Sequence, residues 1–360
     1  MTVPCRNLKV VPNVLFSPGA LQQLASILLP RRNVFPTVVY IVDHYFMATD
    51  IYNRLPVESN DMYLYLDTTD EPTTTVVDDY VRAINAHTQM TPGAVVGIGG
   101  GATMDVAKAV AVLLTNGGNA QDYQGWNLVQ APAAYKIGIP TLSGTGSEVS
   151  RTAVLNSPHK KQGINSDHSL FNQIILDPEL LATVPAQQRF FTGMDCYIHC
   201  VESLCGTFLN EFSKAFAAQA LYLCNNVFLD NGTDADLMVA SYMGGCSIVY
   251  SEVGVCHALS YGISHAFKIH HGLANCLVFN CLDEYYPYHV QQFRTMLKHN
   301  HVALPTGLFN SIDNELMETM IDITLLMEKP LHNALGANWK ERFTRDVIRS
   351  LYNKIMEQSS

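Results

Sequence analysis

The run Gly97-Ile98-Gly99-Gly100-Gly101-Ala102-Thr103-Met104-Asp105 follows a short apolar block, Ala94 to Ile98, and opens a helical pattern, Ala102 to Leu114. Glycines between a strand and a helix let the backbone approach a pyrophosphate, and the first N–H groups of the helix add donors and a partial positive charge. The run satisfies G-x-G-x-x-A, a pattern that also occurs in plain packing turns. Outward from it, Val38 to Val42 is β-branched and brief and stops at Asp43, and Val76 to Ala86 reads as an amphipathic helix. Ile137 to Pro140 and Ile174 to Leu176 read as further strands. Short continuous apolar runs separated by helices predict a parallel sheet covered on both faces.

A dinucleotide fingerprint places an acidic residue about twenty positions after the glycines, at the end of the next strand. Asp122 has that spacing but stands in a loop-like stretch, Asn116 to Gly125, with no apolar run before it. Asp43 directly follows a strand-like run and is the better candidate to read a ribose 2′-hydroxyl. Its charge disfavours a 2′-phosphate, hence NAD(H) over NADP(H). Because Asp43 precedes the glycines, the order calls for a nucleotide-binding topology other than the usual one. A second loop, Pro140 to Glu148, sets two glycines among hydroxyl residues. It suits phosphate or ribose, and Thr145 or Ser147 capping the following segment suits it equally.

After Asp177-Pro178 the pattern changes. From about Pro185 the chain reads as long helices, Cys196 to Leu209, Lys214 to Phe228 and Asp234 to Tyr250, then a His-rich helical stretch and an amphipathic tail from Asn314 to Met356. The expected organisation is α/β plus all-α: a Rossmann-like parallel-sheet domain over 1–184, binding a dinucleotide, and a helical metal-binding domain over 185–360. A cleft between the two is the default place for a ligand.

Of 360 residues, 48% are apolar and 15% charged, with a net charge of −10. Charged residues usually make up about a quarter of a chain, so this one reads as well buried or engaged in a large subunit contact. An acidic balance without a basic run disfavours nucleic acid. No stretch reaches the length of about 18 apolar residues that a membrane span needs. The start lacks the basic patch and apolar block of a secretory signal, so the expected location is cytoplasmic. Nine cysteines without a Cys-x-x-Cys pair read as reduced core residues.

Asp195 and His199 stand at i and i+4, which on a helix stacks them on one face within reach of one ion. Four histidines, 257, 265, 270 and 271, fall within fifteen residues. A straight helix would hold His257 and His271 roughly 21 Å apart, so they share a metal with Asp195 and His199 only if the chain turns, with Gly262 and Gly272 as the expected turning points. One carboxylate and three imidazoles suit Fe2+ or Zn2+.

Gly99 to Asp105, Thr141 to Glu148, Asp177 to Leu180, Gly193 to His199, His257, and His271 to Asn275 together resemble, in order and over nearly the whole chain, the motifs of the iron-containing (group III) alcohol dehydrogenases. The resemblance implies the dehydroquinate synthase-like fold of that family, with Asp195, His199, His257 and His271 as metal ligands. It implies Gly99, Gly100, Gly101, Asp105, Thr141, Leu142 and Thr145 as the NAD cradle, Asp43 as the ribose-reading acid, Lys161 as a cofactor lysine, and a homodimer. Within the family the sequence is most similar to the branch that oxidises the C8 hydroxyl of the sugar acid 3-deoxy-D-manno-octulosonate, toward an 8-amino sugar of lipopolysaccharide, with an aminotransferase acting next.

Three positions depart from the family pattern. Ala102 replaces a Ser, Leu142 replaces a Thr, and Tyr261 stands where many relatives carry a His near the nicotinamide. A phenol one turn from the metal makes Tyr261 a candidate proton relay, with His265 beyond it. Arg151, Lys268 and His270 are the candidate anchors for a sugar-acid carboxylate. The expected reaction oxidises a primary alcohol to an aldehyde, with a divalent metal acidifying the hydroxyl and a nicotinamide taking the hydride. Rival readings are an oxidase that passes electrons to oxygen, a metal-dependent hydrolase or lyase on the same four ligands, and a non-catalytic nucleotide-binding scaffold.

Overall fold

The computed structural model describes residues 8–158, 161–309 and 312–358, with only the backbone of Lys161. The chain forms two compact units, one built from Lys9–Leu142 and Ser147–Thr183, the other from Ser143–Gly146 and the residues from Val184 onward.

In the first unit six strands form a parallel sheet: β1 (Val14–Phe16), β2 (Val38–Asp43), β3 (Met62–Leu66), β4 (Ala94–Gly99), β6 (Lys136–Pro140) and β9 (Gln173–Leu176), in the order β1-β9-β6-β4-β2-β3. Every residue from Val38 to Val42 is fully buried, as a strand covered on both faces requires. On one face Leu21, Leu24 and Leu28 pack with Val38, Tyr40, Val42, Ile98 and Ile139. On the other lies the helix Gly101–Asn116, close enough that a Cβ on Gly97 would stand 2.7 Å from the Cβ of Ala107. The helix Thr74–His87 starts where the Thr73 side chain accepts the Val76 N–H.

The apolar runs expected as strands are strands, each within a residue of its expected ends. β1 and β3 were not expected. β3 reads Met-Tyr-Leu-Tyr-Leu and is only half-buried, because it is the sheet edge, where Tyr63 and Tyr65 pack edge-to-face at 5.0 Å. Nor was a second, three-stranded sheet of β5 (Gly125–Trp126), β7 (Thr152–Asn156) and β8 (Lys161–Asn165), in which β7 and β8 pair antiparallel.

The second unit is helical throughout its described residues from Val184. Its central helix is Ala186–Cys205, packed by Glu211–Leu229, Asp234–Tyr250, Val255–Phe267 and His271–Phe279. The expected Cys196 to Leu209 helix is displaced. It begins at Ala186, after Pro185, and ends at Cys205 before Gly206, where a Cβ would strike Asn333. From Phe190 to Ser203 every residue is buried, so no polar stripe gives that stretch a helical period. The expected amphipathic tail is divided into Asn314–Leu326, Glu328–Leu335, Trp339–Arg342 and Arg345–Gln358. No described helix is long and apolar enough to cross a membrane, and all eight described cysteines carry free thiols.

Candidate metal centre and dinucleotide loops

On the Ala186–Cys205 helix, Asp195, His199 and Glu202 share a face at i, i+4 and i+7. The helix Val255–Phe267 brings in His257 and stops at Lys268, whose φ of 52° is left-handed and turns the chain. After His270 the helix His271–Phe279 begins, with His271 in its first turn and Asn275 one turn on. The turn therefore lies at Lys268 to His270 and not at the glycines. Gly262 sits inside the helix because a Cβ would meet the Tyr352 hydroxyl at 2.2 Å, and Gly272 packs against the Phe191 carbonyl.

The result is a compact cluster. Asp195 Oδ1 lies 3.3 Å from His257 Nε2, 3.5 Å from His199 Nε2 and 3.6 Å from His271 Nε2. Ligand atoms of Asp195, His257 and His271 all fall within 4.8 Å of one another. The His199 and His257 rings stack at 4.7 Å. Asp195 Oδ2 and His199 Nδ1 are buried without a hydrogen-bond partner, which is costly for polar atoms unless something else satisfies them. A buried carboxylate among three imidazoles, with a polar atom left over, is a nitrogen and oxygen donor set of the kind that holds Fe2+ or Zn2+.

The electrostatics agree with that donor set. Burial alone would raise the Asp195 carboxyl, but His199, His271 and His257 hold it well below the usual carboxylate range. Burial lowers His199 to about 4 against the attraction of Asp195. Burial also opposes protonation of His257, yet Glu202 and Asp195 outweigh it and carry that imidazole to about 10.

Two residues of the cluster were not singled out from the sequence. Glu202, buried, stands 2.6 Å from His257 Nδ1 and accepts the Gly254 and Cys256 N–H groups at 2.8 and 2.6 Å. Asn275, also buried, donates through Nδ2 to Asp195 Oδ1 at 2.7 Å and lies 3.1 Å from His271 Nε2. The helical arithmetic that selects His199 from Asp195 also selects Glu202, three residues further on, and selects Asn275 from His271.

Tyr261 is half-buried, its ring edge-on to His271 at 5.6 Å between centroids. His265 is exposed, about two turns beyond His257 on the same helix. Lys268 and His270 are exposed at the turn. Arg151 is engaged elsewhere: its guanidinium pairs with Asp167 at 2.8 Å and bonds to Asn127 and to the Asn165 carbonyl. Both of its terminal nitrogens are thus engaged, and its Nε is buried without a hydrogen-bond partner.

In the sheet unit, β4 delivers Gly99, Gly100 and Gly101 to the start of the sixteen-residue helix Gly101–Asn116, which has no side-chain cap at its N-terminus. A Cβ on Gly99 would stand 2.4 Å from Thr103 Oγ1, and one on Gly100 would stand 2.9 Å from the Leu142 side chain. Thr103 Oγ1 is itself buried and unpartnered. The Thr141 N–H donates to the Gly99 carbonyl at 2.9 Å and joins the two loops. Glycines that keep the backbone bare, beside an uncapped helix start, suit a pyrophosphate.

The parallel pairing of β2 with β4 sets Val42 beside Ile98, so Asp43 comes to the glycine loop from the neighbouring strand. A Cβ on Gly99 would be 3.0 Å from that of Asp43. This pairing explains how an acid upstream of the glycines can serve where the usual fingerprint has one downstream. The Asp43 carboxylate accepts the Tyr45 N–H and the Thr68 hydroxyl. Asp122 accepts the Asn119 N–H at 3.1 Å and closes a short 3-10 turn.

Asp105 turns inward. Its Oδ1 accepts the Ser147 hydroxyl at 2.5 Å and pairs with buried Lys108 at 2.8 Å, and its Oδ2 accepts the Val154 N–H at 2.9 Å. It thus supports the cradle from behind. Ser147, considered as a helix cap, is committed to Asp105 and Lys108, and a strand follows it. Thr145 is half-buried in Ser143–Gly146, which packs within the helical unit: the Gly144 N–H donates to Ser241 Oγ at 2.7 Å. The side chain of Lys161 lies outside the described residues.

Residues 12–178 match the family model described as iron-containing alcohol dehydrogenase, and residues 190–322 match that of the C-terminal part of the Fe-containing alcohol dehydrogenase family. The chain is similar to the NAD-dependent methanol dehydrogenase of Bacillus methanolicus, 32% identical over 203 residues, which are 54% of this chain and 53% of that protein. That match spans about half the length of the relative. Alcohol dehydrogenase 4 of Schizosaccharomyces pombe is 25% identical over 95% of this chain and 87% of its own. In fold, the chain resembles sulfoacetaldehyde reductase from Bifidobacterium kashiwanohense, solved in complex with NAD+, with a TM-score of 0.79 at 20% identity over 97% of this chain and 98% of the other.

Proposed function

We propose that the chain, which belongs to the iron-containing alcohol dehydrogenase family, is a metal-dependent oxidoreductase acting on alcohols or aldehydes, and that it oxidises the C8 hydroxyl of 3-deoxy-D-manno-octulosonate to an aldehyde. Members of the family use a divalent metal and NAD(H). The proposed ligands are Asp195, His199, His257 and His271, and the observation that carries the reading is the buried Asp195 carboxylate facing three imidazole nitrogens at 3.3 to 3.6 Å. When bound, the cation supplies Lewis acidity toward a substrate hydroxyl and the nicotinamide supplies a hydride acceptor.

The chain's own residues do the rest. Gly99, Gly100 and Gly101 leave room for a pyrophosphate at the helix start, with Thr141, Leu142 and Thr145 as the second loop of the cradle and Asp105 as its support. Asp43 accepts from a ribose 2′-hydroxyl and repels a 2′-phosphate, which favours NAD(H) over NADP(H). Burial of the cluster excludes water from the reacting hydroxyl. Tyr261 takes up the hydroxyl proton and passes it toward His265 and solvent. Lys268 and His270, at the turn that leads into His271, are the proposed anchors for the sugar-acid carboxylate. The sugar-acid substrate and a role in lipopolysaccharide modification, with an aminotransferase next, rest on the sequence resemblance. A cytoplasmic homodimer completes the proposal.

The test supplies the purified chain with the sugar acid, NAD or NADP and Fe2+ or Zn2+, with and without oxygen, and follows aldehyde and reduced nicotinamide together. Equal amounts of both, independent of oxygen, are expected. Aldehyde formed with oxygen consumption and no reduced nicotinamide would replace the dehydrogenase by an oxidase. Turnover of simple primary alcohols but not of the sugar acid would overturn the substrate.

A further inference from the structure

We propose that Glu202 is a positioning residue for the metal centre: it fixes the tautomer of His257 so that Nε2 presents a lone pair to the ion. This rests on the metal-site reading above and names an additional member of that site.

Glu202 is 1% exposed, on the same helix face as Asp195 and His199. Its Oε1 accepts the Cys256 N–H at 2.6 Å and its Oε2 accepts the Gly254 N–H at 2.8 Å, so both oxygens already act as acceptors. The Tyr286 hydroxyl lies 3.4 Å from Oε1. His257 Nδ1 meets Oε2 at 2.6 Å, and a carboxylate oxygen has only lone pairs to offer, so Nδ1 carries the hydrogen and donates it. The neutral ring then keeps its lone pair on Nε2, the atom 3.3 Å from Asp195 Oδ1. The other hydrogen-bonded nitrogen of a ligating imidazole decides which nitrogen is available to a metal. The two N–H contacts also tie the start of the Val255–Phe267 helix to the Ala186–Cys205 helix, so one carboxylate sets both the place and the tautomer of His257.

Glu202→Gln tests the tautomer: with its oxygen at the place of Oε1 the amide still accepts the Cys256 N–H, while its NH2 at the place of Oε2 gives up the Gly254 N–H, donates to Nδ1 and drives the hydrogen to Nε2. Zinc affinity is measured by chelator competition, beside circular dichroism and NAD titration as readouts of folding and of the other site. Expected are wild-type folding and NAD affinity with zinc affinity lower by about 10–100-fold, the usual cost of an altered outer-shell partner. Tyr286→Phe, which removes a donor to Glu202 but nothing from His257, should keep zinc affinity within about twofold, since it leaves the tautomer alone. Zinc affinity in folded Glu202→Gln equal to that of the wild type would overturn the proposal, as would an equal loss in Tyr286→Phe. Independently of any variant, two-bond 1H–15N spectra of the zinc-loaded wild type should show His257 protonated on Nδ1, and protonation on Nε2 would overturn it. A wild-type chain that takes up no zinc or iron would overturn the metal site itself, and this inference with it.

Discussion

The two sites are built from different material. The glycine loops offer backbone: bare glycines, an uncapped helix start, and side chains such as Asp105 and Lys108 turned inward to hold the loops. The helical cluster offers side chains from three helices, each needed at one place. A backbone-built site tolerates changes of residue type where no Cβ intrudes, so residues without a hydroxyl, such as Ala102 and Leu142, can line it. A side-chain-built site does not tolerate loss of a donor.

The sharpest way to break that contrast is Asp195→Asn. It removes the carboxylate that all three imidazoles face, and zinc affinity should fall by more than roughly 100-fold, beyond the cost of outer-shell changes, with NAD binding unchanged in a parallel titration. Equal loss of NAD binding would show that the two sites are not independent. Gly99→Ala is the converse. Its Cβ would collide with Thr103 Oγ1, so a thermal melt should show a loss of about 1–3 kcal/mol, as for overpacking, together with weaker NAD and undiminished zinc affinity.

Asp43→Asn tests the one charged side chain proposed to face the dinucleotide. Loss of a charged acceptor should cost about 1.5–3 kcal/mol of NAD affinity and narrow the preference over NADP, read by competitive titration. A smaller effect concerns pH in the metal-free protein. Against burial, Glu202 and Asp195 raise His257 to about 10. The stability this group adds is complete below its unfolded value, near 6.5, and is lost as pH rises through the folded one. His199, lowered by burial to about 4, contributes in the opposite sense: its share is present above about 6.5 and is lost as pH falls toward 4. Melting temperatures across roughly pH 7 to 10 should therefore fall less steeply in His257→Gln than in the wild type. The smallest effect is expected for Ala102→Ser, with NAD affinity within about twofold, a few tenths of a kcal/mol, since the backbone donors are already present.

The sequence is legible where one physical cause acts alone. Val38 to Val42 and Ala94 to Ile98 are buried on both faces, and continuous apolar runs are the result. β3 and β7 are partly exposed edge strands that mix tyrosine, threonine and asparagine with apolar residues, and β8 between β5 and β7 carries lysine, glutamine, glycine and asparagine around one isoleucine, so none of them gives a continuous apolar run. The Ala186–Cys205 helix is hard to delimit because burial all round from Phe190 to Ser203 erases the helical period there. Asp195 and His199 are visible as a pair four residues apart, yet nothing in their spacing predicts the left-handed Lys268 that turns His271 back toward them. Glu202 is legible as a position, three residues beyond His199 on the same face, but its role shows only with its partner His257.

That turn has a consequence for how the gene can change. Each residue added to or removed from a helical path rotates the downstream residues by about 100° and slides them by about 1.5 Å. His257 and His271 are separated by the rest of the Val255–Phe267 helix and the Lys268 to His270 turn, so one residue inserted in that helix beyond His257 would swing His271 away from Asp195 while leaving every proposed ligand in the sequence. A substitution at Ile269 keeps that register. Comparing such an insertion with substitution at Ile269 would distinguish a requirement for register from one for chemistry.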